Sequence, residues 1–286
     1  MRKRSGALVF AVLALLTVFD LFVWYEIFFR RPAREPELHF LDVGQGDSEL
    51  MVLPGGVQIL TDAGPDRKVV SSLERVLSPG DRYIDLAVIS HPQLDHFNGF
   101  NELLKRYDFG AFIVNGRSVE LPEWRALVGE IEKRKIPLIA MGAGDRIRHG
   151  ESEVEILSPD LNWAGSGELN DTGLVELVKT PSWSALFTVD IGFNIEDYLL
   201  EKFDLRAEIL KVGHHGSKYS SGEKFLEAVS PKLAVVGVGE GNRYGHPTPE
   251  ALQRLQGSGA MVFRTDMDGT VSVLTENNVL KVYRRK

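Results

Sequence analysis

The feature that most constrains this chain is a buried strand that runs directly into a segment rich in metal-binding side chains. The apolar run 84–90 has the composition of a buried strand, and the residues after it include His91, Asp95 and His96. Imidazole and carboxylate groups suit zinc, manganese or iron, and a loop at a strand end can aim several of them at one point. A plain turn is the alternative, because Pro92 forces one and Asp95 could cap a following helix.

Three later strands also end in histidine or aspartate. They are 184–190, 207–213 and 232–239, which lead to Asp190, to His214 and His215, and to His246. A structural protein has no need of such strand ends, whereas a metal site built from loops at one edge of a sheet does. The recurrence therefore favours a metal site over an isolated turn.

The hydrophobic pattern predicts two similar halves made of hairpins and strand–helix units, which is typical of an α/β domain with two sheets faced by helices. Strands are predicted at 38–43, 48–53, 57–62 and 84–90 in the first half. Helices are predicted near 67–77, 98–107, 121–134, 195–203, 222–229 and 248–256.

Seven segments resemble the metallo-β-lactamase-fold domain of the ComEC family, the inner-membrane DNA-uptake proteins of transformable bacteria. They are FLDVGQGDS (40–48), LTDAG (60–64), SHPQLDH (90–96), LFTVD (186–190), LKVGHHGS (210–217), SPKLAVV (230–236) and NRYGHP (242–247). Each segment is short, but the seven in this order are specific for the family. The resemblance implies an αββα four-layer sandwich over residues 38–286, with the site at one edge between the sheets.

The resemblance also implies which residues form the site. The expected metal ligands are His91, Asp95, His96, Asp190 and His246, of which Asp95 and Asp190 are also expected to be catalytic. Further ligands, or groups that orient ligands, are expected among Asp62, Gln93, Asn170, Asp171, His214 and His215. Zinc or manganese is the expected metal, with one or two ions per chain.

One departure from the family pattern bears on the number of ions. Gln93 stands where relatives commonly have an acidic or imidazole ligand, and a neutral amide is a poor substitute. We therefore expect one position, served by Asp95, His96, Asp190 and His246, to bind metal tightly. The position beside His91 is expected to bind weakly.

Two further groups have both a functional and a plain interpretation. Lys218, Asn242, Arg243 and Tyr244 follow two of the strand ends, which suits contact with substrate phosphate, although solvated loops have similar composition. Asp47 either lines the site or belongs only to the tight turn that Gly44 and Gly46 permit.

The N-terminus predicts a membrane anchor. Residues 6–25 are apolar except for Thr17 and Asp20, long enough to cross a hydrocarbon core of about 30 Å. A cleaved signal peptide is the alternative, but no small-residue cleavage site follows. We expect residues 1–29 to anchor the chain as a single transmembrane helix, with membrane contact through residues 6–29. Residues 30–37 would be a linker, and the catalytic domain would be extracytoplasmic at the cell membrane.

Charge and cysteine content narrow the possible partners. Residues 1–34 hold six of the 33 basic and two of the 40 acidic side chains, so the remaining 252 residues hold 27 and 38, a net charge of −11. A surface for duplex DNA would be basic, so any contact with nucleic acid must be local. The chain has no cysteine, which excludes disulfides and thiol catalysis.

These observations predict a membrane-anchored, metal-dependent hydrolase. The resemblance implies nuclease-like cleavage of phosphodiester bonds in single-stranded or fragmented DNA. The chain could act with a separately encoded uptake channel, or for an unrelated purpose such as nutrient scavenging. β-Lactam hydrolysis is a weaker variant, since fold does not determine function. The alternative from another class is a non-catalytic metal-binding module that binds nucleic acid or a membrane DNA-uptake partner, and Gln93 is the residue that supports it.

Overall fold

The computed structural model describes residues 2–29, 35–160, 167–277 and 279–286. The strands in these ranges, in chain order, are β1 (Glu37–Phe40), β2 (Glu49–Leu53), β3 (Val57–Thr61), β4 (Tyr83–Ile89), β5 (Asp108–Val114), β6 (Leu138–Ala140), β7 (Arg146–His149), β8 (Ser152–Ser158), β9 (Val175–Lys179), β10 (Ser184–Phe187), β11 (Ile209–Lys211), β12 (Leu233–Val236), β13 (Met261–Arg264), β14 (Thr270–Glu276) and β15 (Val279–Arg285).

The helices are α1 (Arg2–Phe29), α2 (Lys68–Val76), α3 (Leu94–Phe97), α4 (Gly99–Leu103), α5 (Pro122–Lys133), α6 (Phe193–Lys202), α7 (Glu223–Val229), α8 (Pro249–Gly257) and α9 (Thr265–Asp268), with 3₁₀ turns at Asn170–Thr172 and Gly213–Gly216. Local sequence explains several boundaries. α8, for example, begins where Pro249 follows Thr248, whose hydroxyl accepts a hydrogen bond from the Ala251 amide at 3.3 Å.

The strands form two sheets that face each other. The first has the order β15-β14-β1-β2-β3-β4-β5-β6 and the second the order β13-β12-β11-β10-β9-β8-β7. Apolar side chains from both sheets meet in one core, for example Leu38 and Val88 from the first and Ile156 and Ile209 from the second. Burial of these side chains holds the sheets together.

Helices cover the outer face of each sheet. α2, α4 and α5 pack their apolar sides, which include Leu73, Phe100 and Leu127, on the first sheet. α6, α7 and α8 do the same on the second sheet, through side chains such as Leu199 and Leu255. The predicted αββα arrangement is confirmed.

Parallel pairing fixes where the functional segments lie. β3, β4 and β5 are parallel neighbours in the first sheet, and β10, β11, β12 and β13 are parallel neighbours in the second. Because parallel neighbours end at the same edge, the segments after β3, β4, β10, β11 and β12 all open at one edge of the sandwich.

One helix differs from the prediction in a way that affects the site. A helix was predicted at 98–107, with Asp95 as a possible cap, whereas α3 begins at Leu94 after extended Gln93. Asp95 and His96 therefore lie inside the first helical turn, and α4 continues after Asn98. The helix begins earlier than the hydrophobic spacing predicted, because β4 ends at Ile89 and the turn at Pro92 follows at once.

The N-terminal helix was predicted to span a membrane. α1 runs over Arg2–Phe29, and its described apolar side chains, such as Phe10 and Leu15, are exposed. In the portion of the chain that the structure describes, no helix combines the length and apolar character that a membrane crossing needs. The predicted transmembrane helix is thus not supported. Most of the predicted linker, residues 30–34, lies outside the described residues.

Candidate metal centre

The site is assembled from segments that follow parallel strands. Asp62 follows β3, the segment from Ser90 to His96 follows β4, and Asp190 comes three residues after β10. The 3₁₀ turn Gly213–Gly216, which carries His215, follows β11. The strand ends that the sequence identified as unusual therefore do meet at one edge.

Four side chains form the centre of this cluster. His96 Nε2 lies 3.3 Å from Asp190 Oδ2, and His215 Nε2 lies 3.5 Å from the Oδ2 atoms of both Asp190 and Asp95. The ring of His91 is 4.2 Å from that of His96, centroid to centroid. Of the predicted ligands, the structure thus brings together His91, Asp95, His96 and Asp190.

Several atoms that face the cluster are buried without a hydrogen-bond partner. Among the described residues these include the Nε2 atoms of His91, His96 and His215 and the Oδ1 atom of Asp190, and Asp47 Oδ1 and His246 Nδ1 are buried without a partner as well. A buried polar atom without a partner is costly, so its presence calls for a missing interaction. Imidazole nitrogen and carboxylate oxygen are suitable ligands for zinc, manganese or iron, so this donor set fits a divalent metal ion.

Asp62 orients both histidines of the first motif. It is fully buried, and its Oδ2 accepts hydrogen bonds from His96 Nδ1 at 2.7 Å and from Ser90 Oγ at 2.6 Å. Ser90 Oγ in turn lies 3.0 Å from His91 Nδ1. With both Nδ1 atoms engaged on this side, the Nε2 atoms of His91 and His96 face into the cluster. The predicted orienting role of Asp62 agrees with this geometry.

Backbone strain is concentrated here. Asp62, Val189, His214 and His215 have φ angles of 57°, 42°, 48° and 53°. The left-handed region is unfavourable for residues other than glycine, above all for β-branched valine. Such conformations persist where the surrounding structure enforces them, and they are common at functional sites. Here they precede or carry side chains of the cluster.

The electrostatics of the cluster favour ionised carboxylates. Burial opposes the charged forms, but His215 and His96 hold the pKa of Asp190 well below its ordinary value. Burial alone would also raise the pKa of Asp95, yet the neighbouring His215 and His96 lower it to about 2. Both aspartates are therefore charged at neutral pH.

The histidines differ from each other. In the metal-free chain, burial acts against the protonated forms of His96 and His215, but Asp190 raises the pKa of both well above the ordinary value. Burial and the neighbouring His96 lower the pKa of His91 to about 4. His91 is thus a neutral imidazole at neutral pH, with a free lone pair on Nε2.

The position predicted for His246, beside Asp95 and Asp190, is occupied by His215. His246 lies edge-on to His214, with ring centroids 5.8 Å apart, and stacks on Tyr244 at 5.9 Å. The cause is the pair of left-handed residues at 214 and 215, which turns the buried His215 ring inward and leaves His214 half-buried. Side-chain alternation in an extended chain places only one of two adjacent residues on a given face, but it does not identify which of His214 and His215 points inward.

The amide of Gln93 is part of a neutral hydrogen-bonded chain. Gln93 Nε2 donates to Asn170 Oδ1, and Asn170 Nδ2 lies 3.4 Å from His214 Nε2. Asp171 is half-buried in the same 3₁₀ turn as Asn170. The Gln93 side chain is therefore bonded to another amide and not to a carboxylate.

The predicted substrate-binding residues lie on the two loops beside this cluster. Asn242 holds the loop together, since its amide donates to the His246 carbonyl oxygen at 2.6 Å. Arg243 and Tyr244 are exposed, with the guanidinium 4.9 Å from the ring centroid. Lys218 is also exposed, and its ammonium lies 5.0 Å from the Tyr219 ring. Each loop thus presents one cation beside one tyrosine.

Sequence reasoning missed Lys211 altogether and left Asp47 undecided. The Lys211 ammonium donates to Asp47 Oδ2, and both side chains are 1% exposed. A carboxylate oxygen of Asp47 lies within 4.8 Å of ligand atoms of His96, Asp190 and His215. The available signal was the lysine itself, because a charged residue inside a buried strand needs a partner.

Comparisons with known proteins agree with this geometry. The family model of the metallo-beta-lactamase superfamily matches residues 41–240. The chain is 29% identical over 263 residues to ComE operon protein 3 of Bacillus subtilis, covering 86% of the chain and 34% of that protein. It is 28% identical over 245 residues to Competence protein ComA of Neisseria gonorrhoeae, covering 84% and 32%. The chain thus spans about a third of the length of these relatives.

Solved structures support the fold independently of close sequence similarity. The metallo-beta-lactamase fold protein YhfI from Bacillus subtilis superposes with a TM-score of 0.55 at 12% identity, covering 80% of this chain and 96% of that one. At this identity the likeness concerns the fold alone. The predicted resemblance to ComEC-family competence proteins is confirmed by the sequence matches.

Proposed function

The chain belongs to the metallo-beta-lactamase superfamily, and on that premise we propose that it is a metal-dependent phosphodiesterase that acts on nucleic acid. The observation that carries the proposal is the set of buried atoms without partners on His91, His96, His215 and Asp190. Of these, His96, His215 and Asp190 converge from separate segments, with ligand atoms within 4.8 Å of one another, and a divalent ion bound there would satisfy them. When bound, such an ion supplies Lewis acidity and makes water a competent nucleophile at neutral pH.

The two aspartates have different roles in this proposal. Asp190 is almost fully buried between His96 and His215, so it would serve as a metal ligand. Asp95 is 27% exposed, on the side of the cluster that is open to solvent. Because its low pKa keeps it ionised, its carboxylate can accept a hydrogen bond from the attacking water and hold that water in line with the substrate.

The substrate class is supported by the relatives and by the rim. The relatives named above include a competence protein, and the two loops beside the cluster each carry an exposed cation next to an exposed tyrosine. Cations suit phosphate, and tyrosine rings suit unpaired bases. The net charge of −11 outside residues 1–34 disfavours a broad contact with duplex DNA, so a local contact through these loops favours single-stranded or fragmented DNA.

A non-catalytic module that binds nucleic acid or a DNA-uptake partner is the second candidate. It is favoured by the hydrogen bond between Gln93 and Asn170, since two amides occupy a position where a second metal would need charged ligands. Such a module would bind one ion, or none, without hydrolysing its ligand.

Location and partners form a separate part of the proposal. We propose that the domain acts outside the cytoplasm at the cell membrane, held there through residues 6–29 and working with a separately encoded channel. Support comes from the exposed apolar side chains of α1, such as Phe10 and Leu15. Protease treatment of intact spheroplasts tests this, because a cytoplasmic domain would be protected.

The hydrolase proposal is tested with the purified chain after removal and stepwise return of zinc or manganese. Single-stranded oligonucleotides, duplex DNA and a chromogenic phosphodiester are the substrates, with a cephalosporin as the lactam control. Metal-dependent cleavage of the oligonucleotides and the chromogenic diester supports the proposal. Metal binding without cleavage of any phosphodiester supports the non-catalytic module instead.

A further inference from the structure

We infer that Asp47 and Lys211 form a buried clamp that positions the His215 ring for metal binding, and that Asp47 is not itself a ligand. The inference rests on the proposed metal site and adds two positioning residues to it. The Lys211 ammonium donates to Asp47 Oδ2 and to the Val212 carbonyl oxygen, the latter at 3.0 Å. An ion pair in so dry a place needs an explanation, because burial of charges seldom adds net stability.

The two nitrogens of His215 show which side Asp47 occupies. Nε2 faces Asp95 and Asp190, at 3.5 Å from each. Nδ1, on the opposite side of the ring, lies 2.8 Å from the Gly237 carbonyl oxygen and 3.3 Å from Asp47 Oδ1. Asp47 therefore lies behind the imidazole, and its other oxygen is already engaged by Lys211.

His96 also has an aspartate on its Nδ1 side, in closer contact than at His215, where Nδ1 bonds the Gly237 carbonyl oxygen and Asp47 Oδ1 accepts no hydrogen bond. At His96, Asp62 accepts from Nδ1 at 2.7 Å, while Nε2 faces Asp190 at 3.3 Å. Each of these histidines thus has a buried aspartate on the Nδ1 side, an arrangement that fixes ring orientation in metal sites. The carboxylate of Asp62 is satisfied by three donors, whereas that of Asp47 depends on the lysine.

Backbone contacts hold Asp47 in place. Its amide donates to the Asp95 carbonyl oxygen at 3.3 Å, and its carbonyl oxygen accepts from the Gly64 amide at 2.9 Å. A Cβ atom at Gly46 would stand 2.2 Å from the Asp95 oxygen, and one at Gly237 would stand 2.4 Å from Asp47 Oδ1. Since there is no room for movement, Asp47 links the metal loop at Asp95 to the ring of His215.

The decisive experiment replaces Asp47 and Lys211 together, so that the net charge of the chain does not change. The variant Asp47→Ala/Lys211→Met removes one negative and one positive charge, so the field at the metal is nearly preserved and any loss of affinity reports positioning. The matched control is Glu208→Ala/Lys232→Met, which removes an ion pair of 2.6 Å that precedes β11 and β12, at the end of β11 opposite to Lys211. Cobalt(II) affinity and the visible absorption spectrum of the cobalt-loaded chains are measured.

We expect the Asp47/Lys211 variant to bind cobalt(II) about 10–100-fold more weakly than the unmodified chain, with altered absorption bands, and the control to be unchanged. Apolar replacement of a buried ion pair is commonly tolerated, and thermal unfolding checks this. If that variant does not fold, Asp47→Asn/Lys211→Gln decides, with an expected loss of at least about 5-fold.

Two results overturn the inference. A folded variant with the affinity and the spectrum of the unmodified chain removes the positioning role and leaves the proposed function intact. Failure of the unmodified chain to bind any divalent ion overturns the proposed function and this inference together.

Discussion

Replacement of Asp62 by asparagine tests how the site directs its histidines. Asp62 Oδ1 accepts from the Ser90 amide at 2.9 Å, while Oδ2 accepts from Ser90 Oγ and His96 Nδ1. Asparagine keeps the shape, and it tolerates the left-handed backbone at this position. If its oxygen retains the Ser90 amide, its NH₂ group must face Ser90 Oγ and His96 Nδ1.

The substitution changes which atoms around position 62 must donate and which must accept hydrogen bonds. Ser90 Oγ can rotate to accept a hydrogen bond, but His96 can accept only by moving its proton from Nδ1 to Nε2. Nε2 is the atom that faces Asp190 at 3.3 Å and that would bind metal. Loss of such orienting groups weakens metal affinity about 10–100-fold, which corresponds to about 1.4–2.8 kcal/mol. If His96 stays a donor instead, an unsatisfied buried contact destabilises the metal-free fold by about 1–3 kcal/mol.

Competition of the chain with a chromogenic chelator for zinc gives the affinity, and denaturant unfolding gives the stability. Asp85→Asn is the control, since Asp85 lies on β4, the strand that leads to Ser90. Among its described contacts, the Asp85 carboxylate accepts a hydrogen bond from the Gln58 backbone amide at 2.9 Å and from no residue of the site. Asp62→Asn with unchanged zinc affinity and unchanged stability would refute the orienting role of Asp62.

Three further predictions follow from the same geometry. Gln93→Asp should raise the number of tightly bound ions from one per chain toward two, because a carboxylate replaces the amide that bonds Asn170. The control Gln93→Leu should stay at one ion. Elemental analysis measures the number of ions, and two ions in the unmodified chain would contradict the prediction. His215→Ala should abolish tight binding in a zinc titration, whereas His246→Ala should retain it and change only turnover; the reverse would restore His246 as the ligand. Burial raises the pKa of Glu176 to about 8, above its ordinary 4.5. The stabilisation from protonated Glu176 is therefore complete below about pH 4.5 and is lost as the pH rises toward 8. Melting temperatures of the metal-free chain should fall over this pH range, and Glu176→Gln should remove this part of the pH dependence.

The fold and most of the site could be predicted because they depend on local patterns. Apolar runs that end in His or Asp mark the carboxyl ends of parallel strands, and parallel pairing brings such ends to one edge. His91, Asp95, His96 and Asp190 were found in this way. Asp62, which the family resemblance suggested as an orienting group, contacts His96 as expected.

The choice between His215 and His246 could not be predicted, because it depends on backbone conformation. Two successive left-handed residues at 214 and 215 turn the second ring inward. Histidine seldom adopts this backbone conformation, so the sequence of the segment, apart from its glycines, does not predict it. The Asp47–Lys211 contact joins residues 164 positions apart in the sequence. A buried lysine predicts that an acidic partner lies nearby, but only the packing of the two sheets shows that the partner is Asp47.

The most direct test of the central claim is the rate of phosphodiester cleavage as zinc or manganese is returned, ion by ion, to the metal-stripped chain. We expect the rate to rise with occupancy and to saturate at one ion per chain, and to stay at background in Asp190→Asn. No cleavage at any occupancy, or cleavage that begins only when a second ion binds, would contradict it.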